Sequence, residues 1–185
     1  SGMHGSVVGV WDTRAGTPLG AILPQGGCVF DVAFSPRGGV LLAAGADHNA
    51  MFWSMPAGER QGSPLRHFND VMTLAFSADG RLVATVQADG LVRVWTTPAV
   101  GEGDQALAYQ PGPKRVRLGS RGRLVVASRA PAWNATFQQT QVYDVAGGDP
   151  VGPAMDFAGN VRDAVVSADG RMLAVLTEPV APGNT

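Results

Sequence analysis

The sequence predicts an all-β chain built from one repeated four-stranded unit, and three observations carry that prediction. First, short apolar runs alternate with turn signals. From 67 to 95 the runs "VMTLAFS", "RLVATVQ" and "LVRVW" are separated by Ala78-Asp79-Gly80 and Ala88-Asp89-Gly90. Asp-Gly accepts the positive φ of a tight hairpin turn, so the stretch reads strand, turn, strand, turn, strand. Second, aromatic residues that close a strand stand at Trp11, Trp53, Trp95 and Tyr143, separated by 42, 42 and 48 residues. Third, an apolar residue before a turn follows each of these after 23 residues, at Phe34, Phe76, Leu118 and Val166. A constant gap along the whole chain defines a repeat of about 42 residues.

That period is the length of a four-stranded propeller blade, and the elements follow from it in order. Innermost strands are expected near 29 to 35, 71 to 77, 115 to 119 and 161 to 167. Second strands are expected near 39 to 46, 81 to 88, 123 to 129 and 171 to 177, and third strands near 6 to 12, 50 to 55, 91 to 96 and 140 to 145. Weaker outer strands fall near 18 to 23, 64 to 68, 105 to 110 and 152 to 157. Runs such as "VLLAA" and "RLVVAS" are apolar at consecutive positions, as expected of a sheet sandwiched between two neighbours and buried on both faces. Turn residues interrupt every run after five to eight positions, which leaves no room for a helix.

The bulk properties exclude several classes. With 45% hydrophobic and 16% charged residues the chain is globular rather than disordered. A net charge of −1 argues against nucleic acid, which calls for a basic stripe, and no polybasic membrane patch is present. No apolar run approaches 18 residues, and "SGMHGS" at the N-terminus is not a signal peptide, so a soluble, cytoplasmic protein is expected. The single cysteine, Cys28, excludes an intramolecular disulfide and a CxxC metal site, and it reads as a small buried apolar residue.

Trp11-Asp12, "FSPRG" at 34 to 38, "FSADG" at 76 to 80, "VSADG" at 166 to 170 and the "TRAGTPLG" connector at 13 to 20 resemble the WD-repeat (WD40) propeller family, over nearly the whole chain. The resemblance implies blades held by hydrogen bonds among a His, a Ser or Thr, an Asp and the closing Trp. The second blade offers His67, Thr85, Asp89 and Trp95 for this network. The first keeps Asp47 and Trp53 but has Gln25 and Ala43 at the His and Thr positions, and the third has Tyr109 and Tyr143 where His and Trp would stand. The Ala/Gly/Arg-rich wording looks like bacterial members, whose arrays are often attached to other domains, including serine/threonine kinases.

The expected fold is therefore a β-propeller fragment: a half blade at 6–23, complete blades at 28–68, 70–110 and 115–157, and a half blade at 161–178. Four blade equivalents fall short of the six to eight the family implies for a closed ring, and seven blades would need roughly 290 residues. A larger propeller is the simplest reading. Its alternative is a closed eight-bladed dimer, with self-association through the open blade edges.

Two further features bear on function. The third blade carries six extra residues within "APAWNATFQQ" at 130 to 139, which the resemblance places on the face where partners often bind. Trp133 and Phe137 either fold back as a plug or act as binding anchors. Arg115 and Arg162 enter inner strands and either stay solvated or meet an acidic partner. No nucleophile, base and acid come together: His4, His48 and His67 lie in a flank, a turn and the expected network, and no Ser has a GxSxG setting. The chain is thus read as a non-catalytic protein-interaction or scaffolding module, with no cofactor and no metal. The alternatives are a regulatory or sensor propeller on a bacterial serine/threonine kinase and, in another class, an enzymatic propeller.

Overall fold

The computed structural model describes residues 7–97, 104–107, 115–119, 124–129, 137–158, 160–167 and 172–178. Among them are sixteen strands and no helix. A two-stranded sheet of β1 (Val7–Trp11) and β2 (Pro18–Pro24) comes first. Three four-stranded antiparallel sheets follow. The first holds β3 (Val29–Phe34), β4 (Val40–Gly45), β5 (Asn49–Ser54) and β6 (Glu59–Arg66). The second holds β7 (Val71–Phe76), β8 (Leu82–Gln87), β9 (Val92–Thr96) and β10 (Asp104–Leu107). The third holds β11 (Arg115–Leu118), β12 (Leu124–Arg129), β13 (Phe137–Asp144) and β14 (Met155–Ala158). A second two-stranded sheet pairs β15 (Asn160–Val166) with β16 (Leu173–Glu178). The fold is all-β, with three complete four-stranded blades and a half blade at each end.

The turns that join inner to second strands explain why the blades repeat. In three of them a serine after the inner strand closes the hairpin: Ser35, Ser77 and Ser167 donate backbone N–H to the carbonyls of Val40, Leu82 and Met172. In the second blade Ser77 Oγ also donates to Asp79 Oδ1 at 2.7 Å and accepts from Leu82 N–H at 2.9 Å. Gly80 and Gly90 supply the positive φ, 66° and 86°, that the two Asp-Gly turns require.

The core lies between consecutive sheets, as expected for strands that are apolar at successive positions. Leu41 and Ala43 of β4 turn back into a cluster with Val10 and Leu23 of the first half blade. Leu42 and Ala44 turn forward into a cluster with Val71, Leu74 and Val83 of the next blade. The pattern repeats one blade on, where Val83 faces backward and Ala84 and Val86 face forward toward Val116. Alternation within a strand thus assigns residues to two buried faces rather than to core and solvent.

Three inner strands carry a bulge at the same repeat position. The register shifts between Val29 and Asp31, between Val71 and Thr73, and between Val161 and Asp163, so Phe30, Met72 and Arg162 are the extra residues. A bulge bends the strand and re-aims its extra side chain. Phe30 and Met72 are exposed.

Three details differ from the sequence expectation. Strand β6 begins at Glu59 rather than near 64, because Glu59–Gln61 pair with Ser54–Phe52 before the register shifts. Strand β13 begins at Phe137 rather than near 140, since Phe137–Thr140 find partners on β14 from Ala158 to Met155. Part of the insertion therefore lengthens a strand. Cys28 is exposed rather than buried, because it lies in the connector before β3 and not within a strand.

Candidate functional site

The end of the array at which inner strands begin gathers the connectors between outer and inner strands and the turns between second and third strands. The second blade shows how this end is held rigid. Trp95 Nε1–H donates to Thr85 Oγ1 at 2.9 Å, and Thr85 Oγ1 lies 2.8 Å from His67 Nε2. His67 Nδ1 lies 2.9 Å from the Leu65 carbonyl, which can only accept, so Nδ1 carries the proton and Nε2 accepts from the threonine hydroxyl. The His67 and Trp95 rings also meet edge-on, with centroids 5.1 Å apart. His67, Thr85 and Trp95 are all buried. This relay ties the connector, β8 and β9 together.

Asp89 is not part of it. Its carboxylate accepts from Leu91 N–H at 3.0 Å, inside its own exposed turn. The connector is held instead by Gln87, whose Oε1 accepts from Phe68 N–H at 3.1 Å and Asn69 N–H at 3.2 Å. In the first blade the repeat-equivalent donor, Gly26 N–H, goes to Asp47 Oδ2 at 3.2 Å. One job has two acceptors. In blade one Gly45 stands where Gln87 stands in blade two, and a Cβ on Gly45 would collide with the Cys28 carbonyl, so Asp47 reaches the connector from the turn. In blade two the longer Gln87 already fills that place, and Asp89 caps its own turn.

Trp53 shows the cost of departing from the repeat. Ala43 stands where Thr85 would be, and the buried Trp53 Nε1 has no hydrogen-bond partner. Gln25, at the His position, donates from Nε2 to the Ala43 carbonyl at 3.1 Å. It holds the connector to the backbone but leaves the indole unanswered.

Above this rigid base sits an exposed aromatic that the sequence reading passed over. Phe68, next to His67, is 84% exposed. The Arg93 guanidinium lies 5.4 Å from the centroid of its ring and 5.6 Å from that of Trp95. One cation–π contact thus reaches Phe68, and the other seats the same guanidinium on Trp95. Met72 and Phe30, both exposed, occupy the bulges on either side of the boundary between the two blades. His48 Nε2 lies 3.1 Å from Asp70 Oδ1 and joins the turn of one blade to the connector of the next. His48 adopts φ 60°, where the next blade has Gly90. The available signal for Phe68 was a large apolar residue in a polar connector, "HFND", the same signal that singled out Trp133.

Of the residues expected to bind a partner, Trp133 lies outside the described residues. Phe137 opens β13, Arg115 opens β11 opposite Ser128, and Arg162 is the extra residue of the β15 bulge. Tyr109 also lies outside the described residues. Arg117, two positions into β11, donates from Nε to Asp163 Oδ1 at 3.0 Å and from Nη2 to Asp163 Oδ2 at 3.2 Å, bridging the third blade and the last half blade. That pair holds the Arg117 guanidinium charged above its ordinary range through the hydrogen bonds to Asp163. Among the described residues, no three of His, Cys, Asp and Glu are grouped to hold a metal ion, and no helix is long and apolar enough to cross a membrane.

Residues 16–54 and 59–96 match the WD domain, G-beta repeat. The chain carries WD repeats. Repeats of this kind generally mediate protein–protein interaction or scaffolding. Each matched segment takes the outer strand of one blade and the inner, second and third strands of the next, ending just past the closing tryptophan, Trp53 or Trp95. Among solved structures, the WD-repeat chain is similar to Kuenenia stuttgartiensis Hydrazine Synthase, with a TM-score of 0.74 and 18% identity. The similarity covers 91% of this chain and 49% of that one, so the chain spans about half the length of the structure it matches. At that identity the likeness is one of fold. No curated protein matches the chain in sequence.

Proposed function

We propose that the chain is a non-catalytic protein-interaction or scaffolding module that takes a protein or peptide at the end where its inner strands begin. The observation that carries this reading is Phe68: a large aromatic, 84% exposed, in cation–π contact with Arg93 on a blade fixed by the His67–Thr85–Trp95 relay. Interface hot spots favour such side chains, because a pre-ordered aromatic anchor loses little entropy on binding. Met72 and Phe30 extend the apolar surface. Arg115, Arg162, Trp133 and Phe137 are proposed as further contacts, the two arginines for acidic groups on the partner. Phe68, Met72 and Phe30 call for an apolar anchor on the partner, and the carboxylates of Asp47, Asp70 and Asp89 stand at the same end.

A photo-crosslinking residue placed at Phe68 in cells that make the protein tests this. It should give a discrete protein adduct that the same residue at Pro36, exposed in the turn at the opposite end of the inner strand, does not give. Equal labelling from both positions, or none from Phe68, would refute the reading. Phe68→Ala should abolish the adduct of a second crosslinker at Met72 while leaving the thermal midpoint within about 2 °C, as expected for a surface change.

A further inference from the structure

The first blade holds the connector that carries Phe68 at both ends, and it does so through one residue. The connector from His67 to Asp70 joins β6 to β7. His67 N–H donates to the His48 carbonyl at 2.9 Å, and Asp70 Oδ1 lies 3.1 Å from His48 Nε2. Between them, Phe68 and Asn69 N–H go to Gln87 Oε1, and Asp70 N–H goes to Asn69 Oδ1 at 2.9 Å. His48 holds this place at φ 60°, where the repeat-equivalent residue is Gly90. A side chain in that region costs free energy that glycine avoids, though histidine and aspartate tolerate it better than most. Glycine would keep the backbone bond to His67 and lose the contact with Asp70, so that contact is what the histidine adds. The neighbouring Asp47 is engaged elsewhere, its carboxylate accepting from Gly26 N–H and Asn49 N–H, both at 3.2 Å. Asp70 stands two residues from Phe68 and two from Met72, the exposed apolar side chains of this face.

We propose that His48 is the positioning residue of the Phe68 face. Its grip on Asp70 fixes the chain between Phe68 and Met72, so a partner meets both side chains already set and binds across the boundary of the first two blades. The proposal rests on the reading of Phe68 as the anchor and adds the residue that presets it. An ordered anchor binds more tightly because less freedom is lost on contact. The His48 and Asp70 side chains are 50% and 35% exposed, so water and salt weaken the pair. An exposed pair of this kind shifts a local equilibrium by about two- to fivefold. Gln87 holds the middle of the connector from its own blade, so the connector keeps its path when the imidazole is removed.

The experiment uses the 185-residue chain and begins with amide exchange followed by NMR at one pH. In His48→Gly the Asn69 and Asp70 amides should exchange about two- to fivefold faster, the share an exposed pair holds, while Leu91 in the next turn keeps its rate. Asp70→Ala should do the same, and the double variant should be no faster than either single one, as a shared contact requires. Swapping the pair, His48→Asp with Asp70→His, should return the wild-type rates, since aspartate also tolerates positive φ. Unchanged rates in His48→Gly, additive effects in the double variant, or a swap that restores nothing would overturn the proposal. The crosslinker at Met72 then connects the grip to binding. The adduct that Phe68→Ala abolishes should fall about two- to fivefold in yield in His48→Gly. An unchanged yield beside faster exchange would overturn the positioning role and leave Phe68 as the anchor. No adduct from Met72 in the wild-type chain would overturn the Phe68 reading and this proposal with it.

Discussion

At the scale of single residues, the first two blades are a natural double-mutant comparison, since 42 residues separate Ala43 from Thr85 and Trp53 from Trp95. Thr85 is fully buried and serves two partners at once, accepting from Trp95 Nε1 and donating to His67 Nε2. Thr85→Val keeps the shape and removes the hydroxyl, stranding a buried donor and a buried acceptor. Urea denaturation should show a loss of about 2–4 kcal/mol, the sum of two unmet polar groups. The opposite change is available in blade one. Ala43→Ser places a hydroxyl beside the unpartnered Trp53 Nε1, and the same measurement should show a gain of about 1 kcal/mol. A loss of similar size would mean that the fully buried Ala43 site has no space for an added oxygen. The Gln87 amide gives a third residue-level test. Gln87→Ala frees the Phe68 and Asn69 N–H groups and should loosen the connector, lowering stability by about 1–2 kcal/mol. Asp89→Ala, which removes one exposed turn contact, should cost less than half as much in the same titration.

At the scale of elements, the turn after β7 couples stability to pH. The Asp79 carboxyl is held below its ordinary value, chiefly by the Ser77 hydroxyl and also by Arg81 N–H and the nearby Arg81 and Arg37 charges, with partial burial opposing. A group depressed in the folded state stabilises fully above its unfolded pKa of about 3.9 and loses that contribution as pH falls through the folded value. Asp79→Asn should therefore be less stable than wild type at pH 7, with the gap closing as pH drops beneath about 3.9. A gap independent of pH would show that the turn needs an oxygen acceptor but not its charge. Elements of this kind were legible in the sequence because turn chemistry is local: Ser-Ala-Asp-Gly writes its own hairpin whatever surrounds it. Strand ends were less legible where pairing decides them. The start of β6 depends on Glu59–Gln61 finding β5, and that of β13 on Phe137 finding Ala158. The connector acceptor was illegible for the same reason. Gln87 and Asp89 are two residues apart, and only the path of the backbone decides which oxygen reaches Phe68 N–H. The resemblance to WD repeats named the relay of His67, Thr85 and Trp95, but the contact made by Phe68 depends on Arg93, which lies on a strand two positions from Trp95.

At the scale of the molecule, a row of sheets in which each packs only on its neighbours behaves as a one-dimensional array, so stability depends on how many neighbours a sheet has. The second complete blade has two, and it also carries the relay. Its strand β8 is buried on both faces from Val83 to Gln87. The last half blade has one neighbour, reached through Val161 and Ala164 and through the Arg117–Asp163 pair, and its outward residues Val165 and Leu176 are exposed. Amide exchange should therefore be slowest in β8 and fastest in β15 and β16, because the end sheet can open without disturbing the row. Equal protection in all sheets would mean that the row opens only as a whole, and that neighbour count does not set local stability in this chain.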